Sequence, residues 1–479
     1  MAQSSSFGTA ERLQAPLSSP GESIAVLPPV RFVTGFARLA ADIWRGNGER
    51  SRTQRDAVAA FTVRVASAAI LYLSQVALAR WMGAFEYGIY VFVWTWVLVL
   101  SGLSHLGLPM LMMRFVPEYL VRGEYGLLRG LLRGARIVPL LAGSFVAVAG
   151  LGLIWLAGDR LHDPYLLPVC LALVCVPLCA LSEVQDGIGR GRGWMAVGLL
   201  PPYVLRPLLL LAAMGAAHLL GLPTDAGTAA GAAVVATWAA ALVQALLVSR
   251  RLEPAIHAAP RQYDWRRWRS AALPLLVISA CELALQNTDV LIVSAFMSPV
   301  EVGMYFAAAK TMSLVMFVHY AVGSAVANRF SALKARGDHA GLEALVRDAV
   351  HWTFWPSLAG AIIILALGKP LLWLFNPEFT AAYPVMFVLA IGFLMRASMG
   401  PAEFLVNMLG EQTLCALVLV AAAVLDAALC LALVPVYGML GAAIATSTAL
   451  TAAGHDVVHE RRRLELEISI WASLRAPQT

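Results

Sequence analysis

Apolar runs of bilayer-spanning length recur twelve times along the chain. They lie near residues 58–79, 88–112, 137–157, 164–182, 196–220 and 228–248, then near 271–295, 303–326, 350–374, 381–407, 413–434 and 438–458. A helix crosses the hydrocarbon core with ~20 apolar residues, and an isolated span must satisfy its backbone polar groups internally. Each run therefore predicts one transmembrane helix, and the chain as a whole predicts an all-α, polytopic membrane protein. Ahead of the first run, Met1–Pro29 is rich in Ser, Pro and Ala, a composition that predicts disorder. From Arg31 to Arg45, Phe32, Phe36, Leu39 and Ile43 recur at helical spacing opposite Arg31, Arg38, Asp42 and Arg45. That pattern suits a helix lying on a membrane surface; a solvated tail is the alternative.

Composition agrees with the pattern. Of 479 residues, 59% are hydrophobic and 13% charged, with mean hydropathy +0.73. Soluble domains carry roughly 25% charged residues, so a water-soluble enzyme, a collagen, a coiled coil and a disordered chain are all excluded. The net charge of +6 sits beside the apolar runs, which points to a membrane surface and not to nucleic acid. Of the 35 Lys and Arg, 28 fall in the two tails and the even-numbered connections. The other connections hold Arg80, Arg160 and Lys369, and Arg64, Arg206, Lys310 and Arg396 lie inside spans. By the positive-inside rule both termini are expected in the cytoplasm. All six cysteines sit in apolar stretches without metal-ligand spacing and read as packing residues. Ser23–Val30 is too short and too proline-rich for the core of a signal peptide.

The two halves repeat. Met82-Gly-Ala-Phe-Glu86-Tyr-Gly88-Ile-Tyr90 aligns with Met297-Ser-Pro-Val-Glu301-Val-Gly303-Met-Tyr305, and Arg114-Phe115 aligns with Arg329-Phe330. Further matches follow in order: Pro139–Gly143 with Pro356–Gly360, Pro168-Val169 with Pro384-Val385, and Glu183 with Glu403. Each half holds an even number of spans, so the halves share one orientation. The predicted layout is a cytoplasmic tail over 1–56, a six-helix lobe over 57–250 and a basic linker over 251–270. A second six-helix lobe over 271–460 and a tail over 461–479 complete it, with a central cavity between parallel lobes.

Two segments carry a family resemblance. Ser74-Gln-Val-Ala-Leu-Ala-Arg80-Trp-Met-Gly83-Ala-Phe-Glu-Tyr-Gly88-Ile-Tyr90 resembles the first-to-second-span signature of polysaccharide biosynthesis (Wzx-like, O-antigen flippase) proteins. Asn287-Thr-Asp289 through Glu301-Val-Gly303-Met-Tyr305-Phe-Ala-Ala-Ala-Lys310 is similar to their seventh-to-eighth-span signature. The likeness runs from about residue 57 to 460, within a superfamily that also holds multidrug extruders. It implies translocation of a polyprenyl-diphosphate-linked oligosaccharide from the cytoplasmic to the outer leaflet, for lipopolysaccharide, O-antigen or exopolysaccharide assembly. It also implies a bacterial inner-membrane location, with the lipid-linked oligosaccharide, membrane lipids and a polysaccharide polymerase as partners. No cofactor is expected beyond a sodium or proton gradient.

Ionisable groups at mid-bilayer are costly and mark candidate function. Glu282, Gln286 and Asp289 form one stripe on the seventh span; Arg396, Glu403 and Asn407 form another on the tenth. Lys310, Asp426 and Arg206 lie on spans 8, 11 and 5. The cations Arg64, Arg206, Lys310 and Arg396 are the candidate diphosphate and cavity residues, since guanidinium binds phosphate through two parallel hydrogen bonds. The carboxylates Glu282, Asp289, Glu403 and Asp426 are the candidate coupling-ion residues. Simpler roles stand beside these: Arg64 snorkelling to the interface, an ion pair joining Glu282 or Asp289 to Lys310, and Glu183 with Asp186 closing a turn against Arg190 or Arg192. Gly187-Ile-Gly-Arg-Gly-Arg-Gly193 lacks the strand and Lys-Ser/Thr of a phosphate loop and reads as a flexible cytoplasmic turn. His455 and His459 form no HExxH motif, and no nucleophile elbow is present. A multidrug-type cation antiporter and a membrane glycan-assembly enzyme remain as alternative classes. The first would present acids and aromatics in its cavity, and the second a large outer loop.

Overall fold

The computed structural model describes residues 49–157, 163–252, 260–402, 405 and 412–463, with side chains from residue 66 to 454 apart from positions near 163, 324–336 and 412–415. The expected disordered tail, the surface helix at 31–45, Glu403 and the side chain of Arg64 lie outside this description. Among the described residues there is no strand. The first half comprises α1 (Glu49–Ser104), α2 (Leu108–Arg122), α3 (Tyr125–Ala157), α4 (Asp163–Gly191), α5 (Met195–Leu200), a π-turn at Pro201–Leu205, α6 (Arg206–Leu219) and α7 (Ala226–Arg251). The second half comprises α8 (Trp265–Phe296), α9 (Pro299–Ser313), α10 (Met316–Arg336), α11 (His339–Ala366), α12 (Gly368–Phe375), a 3-10 turn at Pro377–Ala382, α13 (Tyr383–Ser398), α14 (Gln412–Tyr437) and α15 (Met439–Arg463).

Nine of these stretches are long and apolar enough to cross a bilayer, and the bent α9–α10 pair makes a tenth. Among the described residues α1 is also kinked at Gly83, and Met439–Gly454 is a shorter apolar helix, an arrangement compatible with about twelve spans. The chain is a multi-pass membrane protein. Where the sequence predicts a loop between the first two spans, the backbone stays helical on both sides of one kinked residue. Gly83 has φ 79° and ψ 170°, a conformation open almost only to glycine. The tenth span also stops earlier than the apolar run suggests. α13 ends at Ser398, two residues before Gly400 at φ 65°.

The repeat reappears in the breakpoints. α2 ends on Gly123 at φ 70° and α10 on Gly337 at φ 67°, each with a left-handed cap that satisfies the last carbonyls. Gly221 (φ 71°) and Gly438 (φ 58°) likewise separate the last two spans of each half. Gly83 and Ser298, equivalent under the repeat, both break the first hairpin. At Ser298 the break is reinforced by a capping box with Glu301. Glu86, the repeat partner of Glu301, instead accepts from the Ala226 N–H at the start of α7.

Small residues set the packing distances. The Gly187–Gly193 run is not the flexible turn expected from its composition. Gly187 and Gly191 lie in α4, where a Cβ would come within 2.4 Å of the Pro109 carbonyl oxygen and 2.9 Å of that of Met112. These glycines let α4 approach the backbone of α2, as small residues do in membrane bundles. Only Gly193, at φ 72°, makes a turn.

One seam joins the halves along its length. A Cβ on Gly88 would lie 1.7 Å from the Pro299 carbonyl oxygen, and one on Gly102 would lie 2.4 Å from Leu283. Toward the arginine-rich end, Trp268 Nε1 donates to Tyr119 Oη at 2.9 Å and Arg267 to Glu118 at 2.7 Å. At the opposite end Tyr87, Tyr305, Phe375 and Phe379 are fully buried together. There Arg80 donates to the carbonyls of Trp373 and Leu374, both at 2.7 Å, with its guanidinium over the Trp373 ring. The sparsely charged end is therefore closed by aromatic packing and a charge-assisted clasp.

Candidate functional site

A cavity of about 540 Å³ opens in the second half. Its wall includes Glu282, Gln286 and Asp289 of α8, Phe306 and Lys310 of α9, and Arg396 of α13. The stripe spacing on α8 turns all three of its polar groups to one face, and the α8–α9 hairpin brings Lys310 to the same space. Two acids thus share the cavity with two cations. Tyr320, Phe393 and Thr446 complete a partly aromatic wall, and Lys310 Nζ lies 5.2 Å from the Phe306 ring centre. Every described lining residue belongs to the second half, and Arg206 is not among them.

Asp289 is held by hydrogen bonds and not by the expected ion pair with Lys310. Its Oδ2 accepts from Tyr305 Oη at 2.7 Å and its Oδ1 from the Val290 N–H at 2.7 Å. Asp289 is buried, as is Asp426 on α14 at 1% exposure. Asp426 Oδ1 accepts weakly from Cys430, whereas Oδ2 has no hydrogen-bond partner. Thr446 adjoins both Tyr305 and Asp426, and its hydroxyl is likewise without a partner. Thr446 and Cys430 escaped the sequence reading because each is an ordinary residue in an apolar helix, and Tyr305 stood in the repeat without a role beside Asp289; only packing makes them neighbours of the carboxylates. Among the described residues no group of three His, Cys, Asp or Glu is placed to hold a metal ion.

Arg206 stands apart in the first half. Pro201 and Pro202 supply no backbone N–H, and the Arg206 N–H reaches back to the Pro201 carbonyl across a π-turn. That bulge presents the guanidinium over the Trp94 ring at 5.1 Å, with Trp94 stacked on Tyr90. Arg206 is not part of the second-half cavity lining. Trp94 and Trp373 hold arginines, while Trp155, Trp352 and Trp355 are exposed, as expected of an interfacial belt. The turn-closing role at the end of α4 is divided between two residues. Asp186 pairs with Arg190, but Glu183 reaches His105 at 3.1 Å, at the break between α1 and α2.

The family model described as polysaccharide biosynthesis protein matches residues 54–334, more than half of the chain. The chain belongs to that family. No curated protein sequence matches significantly. Among solved structures, an inward-facing multidrug resistance MATE family transporter of the MOP superfamily is similar with TM-score 0.72 at 13% identity, over 85% of this chain and 98% of that one. A MOP superfamily transporter from Pyrococcus furiosus, noted for a binding pocket of reverse polarity that suggests a different function, gives 0.63 at 15%, over 88% and 97%. An outward-facing MATE family transporter gives 0.62 at 14%, over 86% and 95%. This polysaccharide biosynthesis family member therefore has the MOP transporter fold.

Proposed function

We propose that the protein is a flippase that moves a polyprenyl-diphosphate-linked oligosaccharide across the inner membrane for cell-surface polysaccharide assembly. The observation that carries this reading is the family match, joined to a cavity in which Lys310 and Arg396 are fixed beside two carboxylates. A diphosphate in a low-dielectric cavity needs several nearby cations. Arg206, with Arg64, supplies the first half's share, and Lys310 and Arg396 supply the second's. The arginine-rich end faces the cytoplasm under the positive-inside rule. The closed, sparsely charged end then faces outward, and the better match to an inward-facing relative supports this orientation of the gate.

Asp289 and Asp426 take the coupling cation, with Thr446 at the same place. Asp426 Oδ2 and the Thr446 hydroxyl are two buried oxygens with unused capacity, which suits a sodium ion or a proton. The second reading, a multidrug-type cation antiporter, is favoured by the same Glu282 and Asp289 beside Phe306, Tyr320 and Phe393. Complementation of a flippase-deficient strain, with expression controls, decides between them. Arg206→Ala should abolish glycan export and Arg206→Lys should restore part of it, because ammonium lacks the guanidinium fork. Full export by the Arg64→Ala, Arg206→Ala double variant refutes the diphosphate role, and drug efflux without glycan export establishes the antiporter.

A further inference from the structure

Away from the candidate site, a second cavity of about 430 Å³ lies at the arginine-rich end of α3. Arg129, Arg133 and Arg136 line it together with Arg261, Leu132 and Leu252, and no carboxylate is among its described lining residues. The three α3 arginines are spaced i, i+4, i+7 and share one helix face. Arg136 Nε and Nη2 are buried without a hydrogen-bond partner. Buried guanidinium nitrogens are normally satisfied, so these two donors hold unused hydrogen-bonding capacity.

Arg261 is brought there by the backbone. Gly126, Gly130 and Gly134 form a smooth groove on α3, into which the segment before α8 is laid. Gln262 N–H donates to the Gly126 carbonyl at 3.0 Å. A Cβ on Gly130 would lie 1.8 Å from the Gln262 carbonyl oxygen, and one on Gly134 would lie 2.9 Å from the Trp265 ring. Four guanidinium groups from two segments thus line one cavity.

The same α3 face continues as an apolar strip. Ile137 lines the cavity and is exposed, and Leu141, Phe145 and Val148 follow at helical spacing with 66–74% exposure. A cationic pocket at the foot of a lipid-facing apolar strip matches an amphiphile with its phosphates at the interface and a chain along the helix. Four cations exceed what one phosphate requires.

We propose that this pocket binds a lipid bearing two phosphate groups, held by Arg129, Arg133, Arg136 and Arg261 with its chain along Ile137–Val148. Cardiolipin and a polyprenyl diphosphate share that chemistry, one as a bulk lipid and the other as a carrier. The site stands apart from the second-half cavity and does not depend on the flippase reading.

Lipid retention by the purified full-length protein, followed by native mass spectrometry, tests it with cardiolipin, polyprenyl diphosphate, phosphatidylglycerol and inorganic pyrophosphate as probes. Wild type should hold one or both two-phosphate lipids at least about tenfold more tightly than phosphatidylglycerol, and R133Q/R136Q should erase that preference. Preference for cardiolipin assigns a bulk lipid and preference for polyprenyl diphosphate assigns the carrier; either supports the site. Arg261 precedes α8 and lies outside the helices, so R261Q reads the same loss should the double variant fail to insert. Pyrophosphate binding as tightly as the lipids, no preference over phosphatidylglycerol, or equal retention by wild type and variants overturns the proposal.

Discussion

Tyr305 and Asp289 show how one hydrogen bond sets the character of a buried carboxylate. The phenol donates to Oδ2 at 2.7 Å, and Tyr305 is fully buried while Asp289 borders the cavity. Tyr305→Phe leaves the oxygen buried with one fewer partner, a loss of about 1–3 kcal/mol. A lower melting temperature in detergent, with insertion preserved, is the expected readout. Asp289→Asn keeps an acceptor for Tyr305 but removes the negative charge. Under the proposed coupling role, lipid binding should survive while transport in vesicles loses its response to an imposed sodium or proton gradient; an unchanged gradient response would remove Asp289 from that role.

Helix breaks are the element-scale counterpart. Gly83 joins two spans at φ 79°, and a Cβ there would meet nothing within 4 Å. Gly83→Ala therefore isolates a backbone cost, about 1–3 kcal/mol, without a steric one. Thermal unfolding should show that loss, and Gly83→Pro, which cannot adopt a positive φ, should show more. The π-turn at Pro201–Leu205 has the opposite logic: its geometry follows from two prolines that lack donors, and its product is the placement of Arg206 over Trp94. Pro201→Ala and Pro202→Ala together should let a regular helix form and rotate Arg206 away from that ring, reducing export as Arg206→Ala does.

For the whole molecule, the seam and the clasp decide which end is closed. Gly88 touches Pro299 so closely that Gly88→Leu cannot be accommodated without parting the hairpins at the sparsely charged end. A cysteine placed at Phe379, fully buried in the closed end, should become reactive to a membrane-impermeant thiol reagent from outside in the Gly88→Leu background and stay protected in the parent. Arg80→Ala, which removes the clasp to Trp373 and Leu374, should act in the same direction more weakly. Reporter fusions at Lys369 should read as external and those at Arg267 and Arg336 as cytoplasmic. A reversed result would invert the orientation proposed here.

Hydropathy by itself determined the helical multi-pass membrane architecture, because a bilayer demands about 20 apolar residues per crossing and leaves few other solutions; residue matches between the halves made the paired breakpoints legible. The α8 stripe was equally legible, since helical periodicity puts Glu282, Gln286 and Asp289 on one face whatever surrounds them. Where helices approach one another was not. Gly187–Gly193 has the composition of a loop, yet two of its glycines are the contact surface between α4 and α2. Whether Arg206 shares a cavity with Lys310 depends on how the hairpins pack, and the structure sets its guanidinium over Trp94, outside the described lining of the Lys310 cavity. The buried neighbours Cys430 and Thr446 carry no pattern along the chain, and the repeat that contains Tyr305 does not tell that it bonds Asp289. Residues far apart in sequence become a site only when tertiary packing removes water from between them and leaves their polar atoms to one another.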